Sequence, residues 1–205
     1  NSEGHAVVAA RLQAFRRYSR QSDGVVGVNL GVNKDAPDPL ADYVAGVRAF
    51  AADADFVTVN VSSPNTSGLR DLQQEESLLA IVKAAQEVRD RVNPGCWLMV
   101  KLAPDLTDAA AESLVSRLSA AGAVDGWIVS NTTTARPQTL RSPNARESGG
   151  LSGPPLFERS TELIRVVWRA SGGAFIIGAG GIDSGMAAYK KICAGASLLQ
   201  MYTAM

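Results

Sequence analysis

Short apolar runs rich in β-branched residues alternate with helix-spaced stretches along the whole chain, and this alternation limits the fold more than any other feature. Residues 25–30, 56–61, 97–102, 126–131, 175–181 and 197–202 read as strands that are apolar on both faces. Between them lie helical stretches. The first 20 residues read as a loop entering a helix, with Ala6, Val7, Val8, Ala10, Leu12 and Phe15 as its apolar face. Residues 38–52 place Leu40, Tyr43, Val44, Val47 and Phe50 at helical spacing, and 75–91 do the same with Leu78, Leu79, Ile81, Val82 and Val88. Thr107 caps a fourth helix that Gly122 stops, and further helices cover about 156–171 and 184–195. Strands of this kind separated by helices form a parallel sheet covered by helices, in one domain over residues 1–205. Two closures compete: an open doubly wound sheet and an eight-stranded barrel, which has more strands than the roughly six read here. No G-x-G-x-x-G follows the first strand, which counts against a dinucleotide-binding sheet.

Nearly every strand ends in residues a structural strand does not need: Asn29; Asn60 with Ser63; Lys101; Ser130 with Asn131; Gly180-Gly181; Tyr202-Thr203. Parallel strands bring all these ends to one face, where α/β folds build their sites. The densest set is Asn60 to Arg70, on a loop broken by Pro64 and Gly68. Lys101 sits among apolar residues on a presumed buried strand. It is either a structural salt bridge or a cation held against negative charge on a cofactor or substrate. Gly178-Ala179-Gly180-Gly181, ahead of a helix, is either a tightly packed turn or a phosphate cradle. Gly149-Gly150-Leu151-Ser152-Gly153 offers further backbone donors at the end of a long polar loop, residues 135–155. Ser63 is the proton-transfer candidate of the central loop, with Thr66 or water as a relay.

Several chemistries are disfavoured. His5 is the one histidine and lies near the terminus, so a Ser-His-Asp triad or a multi-histidine metal site is hard to assemble, and no metal is expected. Twenty basic residues balance twenty acidic ones, which gives no case for nucleic acid. Cys96 and Cys193 lack metal spacing and read as small buried hydrophobes. No apolar run reaches the ~20 residues of a membrane span.

Residues 60–73, Asn-Val-Ser-Ser-Pro-Asn-Thr-Ser-Gly-Leu-Arg-Asp-Leu-Gln, closely resemble the signature of class 2, quinone-dependent dihydroorotate dehydrogenases. Gly-Val-Asn-Leu-Gly (27–31), Val-Lys-Leu-Ala-Pro-Asp (100–105), Ser-Asn-Thr-Thr (130–133), Gly-Gly-Leu-Ser-Gly (149–153), Gly-Ala-Gly-Gly-Ile (178–182) and the segment 195–203 follow in that family's order. The resemblance covers essentially the whole chain. It implies a (β/α)8 barrel that holds FMN, oxidises dihydroorotate to orotate in pyrimidine synthesis and passes the electrons to a quinone. Class 1 relatives carry cysteine as the base where this chain has Ser63.

By resemblance, Ser63 takes the C5 proton. Asn1, Asn60, Asn65, Asn131 and Thr132 hold the substrate. Asn29, Asn60, Lys101 and Ser130 meet the flavin ring region, with Lys101 countering its negative charge. Ser152, Gly153, Gly180, Gly181, Tyr202 and Thr203 bind the ribityl phosphate. The family is peripheral to a membrane, either the mitochondrial inner membrane or the bacterial cytoplasmic membrane. Its first two barrel strands, its amphipathic N-terminal helices and its last barrel helix have no counterpart here. The chain begins without Met, so it is expected to be part of a longer one. The alternatives are another FMN- or phosphate-binding barrel enzyme and a truncated barrel without catalysis.

Overall fold

A computed structural model describes residues 3–18, 24–33, 36–64 and 74–205. Asn1, Asn65 and Thr66 lie outside the described residues. Among the described residues six strands alternate with six helices: α1 (His5–Tyr18), β1 (Gly27–Leu30), α2 (Pro39–Phe50), β2 (Phe56–Asn60), α3 (Glu75–Val92), β3 (Trp97–Leu102), α4 (Asp108–Ala120), β4 (Gly126–Val129), α5 (Phe157–Ala170), β5 (Phe175–Ala179), α6 (Gly185–Cys193) and β6 (Leu198–Gln200). Thr107 and Ser184 cap α4 and α6 through their hydroxyls, as short polar side chains before apolar runs do.

The strands form a single sheet in the order β1-β2-β3-β4-β5-β6, every pair parallel. This decides between the two closures. A doubly wound sheet reverses its strand order to cover both faces with helices. Here the order never reverses, and same-handed crossovers put every helix on one side. The sheet is a parallel α/β half-barrel with a helix face and a bare inner face.

Side chains alternate between those faces with period two. Val57, Val59, Val61, Leu98, Val100, Leu102, Trp127, Val129 and Ile176 point toward the helices and pack with Tyr43, Val47, Leu78, Val82, Leu114, Leu163 and Ile164. Each such large side chain contributes about 1.5–3 kcal/mol when fully buried, so this layer holds the fold. The inner face carries Met99, Ile128 and Ile177, with Phe56 and Phe175 packed against them. Trp97 meets Phe175 edge-on, with ring centroids 5.0 Å apart. Toward the C-terminal ends this apolar floor gives way to Asn60 and Lys101, which face each other in register. Beyond them come the small buried residues Ser62, Ala103, Ser130 and Ala179.

Some expected details differ. α1 has no fully buried residue; Val8, Ala9 and Leu12 pack against the core while Val7 and Phe15 are exposed. Its mixed face meets α2 and the turn that follows it, where Arg16 donates to the Asp53 carbonyl and the Asp55 carboxylate. α5 is preceded by a 3-10 turn, Pro154–Leu156, because Pro154 and Pro155 supply no N–H to an α-helical ladder. The long loop after β4 is structured. A bridge pairs Thr133 with Leu151. Arg136 donates to the carbonyls of Thr133, Thr134, Ala135, Glu147 and Gly149, closing the loop at its neck.

Candidate functional site

The C-terminal ends of β2, β3 and β4 build a polar network. Asn60 is buried at the end of β2. Its Oδ1 accepts from Ser62 N at 3.3 Å, Ser62 Oγ at 2.9 Å and Asn131 Nδ2 at 3.2 Å. Because Ser62 N can only donate, the atom facing it must be the oxygen, which fixes the amide's orientation. Asn131 Nδ2 also donates to Ser62 Oγ at 3.0 Å, and Asn131 Oδ1 accepts from Thr132 N at 2.8 Å. Tyr43 Oη, reaching across from α2, donates to Asn60 O at 2.8 Å. Among the described residues the Asn60 Nδ2 donors have no protein acceptor, so they are available to a ligand.

Lys101 stands beside this network, directly across the β2–β3 pair from Asn60. Its ammonium has no hydrogen-bond or ion-pair partner among the described residues. Burial pushes its pKa below that of an ordinary lysine. The structural salt bridge left open by the sequence is therefore absent among those residues. An under-solvated cation without an anion is poised to take one.

Above the floor a cavity of about 540 Å³ opens. Lys101, Ser130, Asn131, Thr132, Ser152, Gly153, Gly180, Gly181, Tyr202 and Thr203 all line it. Ten of the residues expected from the sequence thus share one space. Asn60 joins it through its bond to Asn131. Asn29 lies on the inner face of β1 but is exposed and outside the lining, since β1 is at the sheet edge. Ser63 follows three residues after Asn60 at the same end of the sheet as Lys101, half-buried and also outside the lining. A Cβ on Gly150 would lie 1.9 Å from Thr132 Oγ1 and 3.0 Å from Pro64 Cγ. The glycine loop therefore closes over both the β4 loop and the residue next to Ser63.

The far end of the cavity suits an anion. Gly180 and Gly181 have φ of +99° and +72°, conformations that glycine adopts without strain. A Cβ on Gly181 would sit 2.7 Å from the Phe157 backbone. Among the described residues neither glycine's N–H donates to a protein acceptor, which leaves two backbone donors for a ligand. Thr203 Oγ1 donates to Ser152 Oγ at 3.0 Å across the mouth.

Several contributors escape sequence reading. Ser62 was legible in principle, because strand alternation from Asn60 places it on the inner face. Asp105 accepts from the Thr133 hydroxyl and, at 3.2 Å, from Thr134 N, tying the β3 and β4 loops together. The Tyr43 hydroxyl reaches a carbonyl 17 residues away, Arg136 binds only main-chain carbonyls among the described residues, and Gln200 lines the cavity from within β6, ahead of the polar end of that strand.

A family described as Dihydroorotate dehydrogenase matches residues 1–205. A curated dihydroorotate dehydrogenase (quinone) from Rhizobium rhizogenes is 45% identical over 210 residues, covering 100% of this chain and 56% of the relative. One from Brucella ovis is 47% identical over 212 residues, with the same shares. Among solved structures, DHODH from Eimeria tenella in complex with ferulenol has a TM-score of 0.95 at 39% identity, covering 100% of this chain and 60% of that one. The ligand-free type from the same organism gives 0.93 at 40%, covering 100% and 62%. The chain thus spans about half the length of the curated relatives it matches.

Proposed function

Because the chain belongs to the dihydroorotate dehydrogenase family, we propose that it oxidises dihydroorotate to orotate with a bound FMN and delivers the electrons to a quinone. The observation that carries this reading is Lys101 beside Asn60, unpaired among the described residues, on an apolar floor and one cavity away from two glycine N–H groups that have no acceptor among those residues. A flat ring with an anionic tail fits that arrangement. Met99, Ile128 and Ile177 would support the ring from below, and the small side chains Ala103, Ser130 and Ala179 leave room for it. When bound, the flavin supplies the acceptor for the hydride that leaves C6 of the substrate.

The chain's own groups divide the remaining work. Lys101, with Asn60 and Asn29, would meet the ring and oppose its negative charge. The Gly180 and Gly181 N–H groups, with Ser152, Gly153, Tyr202 and Thr203, would hold the phosphate. Asn60, Asn131 and Thr132, joined by Asn1 and Asn65, would bind the carboxylate and ring amides of dihydroorotate. The Asn60–Ser62–Asn131 bonds pre-set those amides, so little ordering remains on binding. Ser63 would accept the C5 proton and pass it to water or a neighbouring hydroxyl.

We further propose that the six strands form part of a closed (β/α)8 barrel. Their sequential order and single helix face support this. Among the described residues no helix is long and apolar enough to cross a membrane. Quinones dissolve in lipid, so the protein would work peripherally, at the cytoplasmic membrane of a bacterium or the inner membrane of a mitochondrion. The test is anaerobic: protein purified as its gene encodes it should be yellow, and dihydroorotate should bleach it. A flavin indifferent to dihydroorotate points to another substrate, and a folded protein that takes up no flavin refutes the reading.

A further inference from the structure

A second lysine is more deeply buried than Lys101, and the chemistry above does not use it. Lys191, near the end of α6, has no exposed surface. Its Nζ donates to Ser160 Oγ at 2.7 Å and Thr161 Oγ1 at 3.1 Å, and lies 5.1 Å from the centre of the Phe157 ring. Glu158, exposed on the first turn of α5, is the anion that acts on it, yet the two form no ion pair. A methionine of similar length would fill the same space with no charge to desolvate. The cation therefore has to be explained by what it does to its neighbours.

Those neighbours lead to the glycine turn. Ser160 Oγ lies 3.0 Å from Phe157 O and 3.1 Å from Gly180 O, with one proton to give. An ammonium can only donate, so the serine oxygen must accept from Lys191 and turn its own proton toward the carbonyls. Thr161 Oγ1 already serves Phe157 O at 2.7 Å, which leaves Ser160's proton for Gly180 O. A trans peptide carries its C=O and the next N–H in opposite directions. Pulling the Gly180 carbonyl toward α5 therefore turns the Gly181 N–H toward the cavity. Polarisation runs the same way: a bond from a hydroxyl that itself receives a charged donor strengthens the next donor in line.

We propose that Lys191 is a positioning residue for the anion end of the cavity, acting through Ser160 to aim and polarise the Gly180–Gly181 peptide and setting a positive charge behind it to favour a phosphate monoester. This rests on the reading of the cavity as an FMN site and assigns its phosphate selectivity to a residue that never touches the ligand. The ammonium also stays protonated where it is needed. Burial pushes its pKa down to about 8, still on the charged side of neutrality.

The test compares two ligands that differ by the phosphate alone. Apoprotein of the gene-encoded chain is titrated with FMN and with riboflavin by flavin fluorescence quenching. Lys191→Met is expected to weaken FMN about 10- to 100-fold, the loss of one charge-assisted interaction, and to change riboflavin less than about twofold. A merely structural role would weaken both flavins equally, and that result, or an unchanged FMN preference, overturns the proposal. Ser160→Ala keeps the ammonium and removes the relay. It is expected to lower FMN affinity selectively by about three- to tenfold, and it carries the test by itself if Lys191→Met does not fold. A wild-type protein that binds both flavins equally well would refute the phosphate reading of the cavity, and the role of Lys191 with it. A wild-type preference for FMN that survives in both variants refutes the role of Lys191 alone.

Discussion

Replacing Lys101 by methionine should push stability and function in opposite directions. The side chain is held on the inner face between Asn60 and Ile128, above Met99, with no anion to compensate it among the described residues. In the unfolded chain the same ammonium is fully hydrated. Folding of the ligand-free protein therefore bears a desolvation cost that methionine would not. Exchanging an uncompensated or poorly compensated buried charge for an apolar side chain of like volume stabilises by about 1–4 kcal/mol. Lys101 is only partly buried, so the low end, about 1–2 kcal/mol, is the expectation. For a chain of this size that is a rise in Tm of roughly 2–8 °C.

Function should move the other way. The charge is expected to favour the reduced, anionic ring over the oxidised one, so its removal lowers the flavin midpoint potential. A differential interaction of about 1.4 kcal/mol corresponds to about 30 mV for a two-electron couple. The assays are differential scanning calorimetry of apoprotein and a spectroelectrochemical titration of holoprotein. A lower Tm without ligand would show that Lys101 is paired in the folded state. A midpoint potential unchanged within about 10 mV, well under the step just worked, would remove it from the flavin's surroundings. Either result refutes the reasoning.

Ser63→Ala should leave flavin bound and slow its reduction by dihydroorotate about 10²- to 10⁴-fold, as loss of a proton acceptor does; stopped-flow absorbance at a normal rate would exclude the hydroxyl from proton transfer. Gly181→Ala meets a φ of +72° and a backbone contact of 2.7 Å, so a loss of about 2–5 kcal/mol in stability or FMN binding is expected; unchanged melting and unchanged FMN retention would show that the turn is not constrained as described. Lys191 gives a pH test. Its pKa is about 8 when folded and near 10.5 when exposed, so between those values the unfolded chain holds a proton the folded chain has released. Rising pH therefore favours the folded apoprotein through this group, by about 1–3 kcal/mol across the window. Below about pH 8 the contribution is flat. The difference in urea-unfolding free energy between wild type and Lys191→Met reads it, and a difference that is level from pH 7 to roughly 10.5 contradicts the burial of a charge.

The sheet was legible because its signal is local. Runs such as Phe56-Val57-Thr58-Val59 and Phe175-Ile176-Ile177 are β-branched or aromatic and bounded by breakers, and all six were found within a few residues. Their polar ends supply Lys101, Ser130, Asn131, Gly180, Gly181, Tyr202 and Thr203 to the cavity lining, because parallel strands deliver those ends to one place. The sequence left the closure open, since strand order is a long-range property that no window of residues contains. It also left open whether Lys101 is paired, which depends on what lies across the sheet. Lys191 reads as an ordinary charge beside Lys190 near a helix end; only the approach of α5 reveals that one of the two is sealed from water. Arg136 is equally silent in sequence, because its partners are carbonyls, which every residue carries.

That last point has an evolutionary corollary. A guanidinium that grips main-chain oxygens at Thr133, Thr134, Ala135, Glu147 and Gly149 is blind to side-chain identity at all five. The stretch between the two grips can therefore drift, lengthen or acquire a new recognition surface while its base stays anchored. Among homologues, diversity should concentrate at residues 138–146 and spare the hinge arginine. A graft inserted there would leave the chemistry beneath it undisturbed.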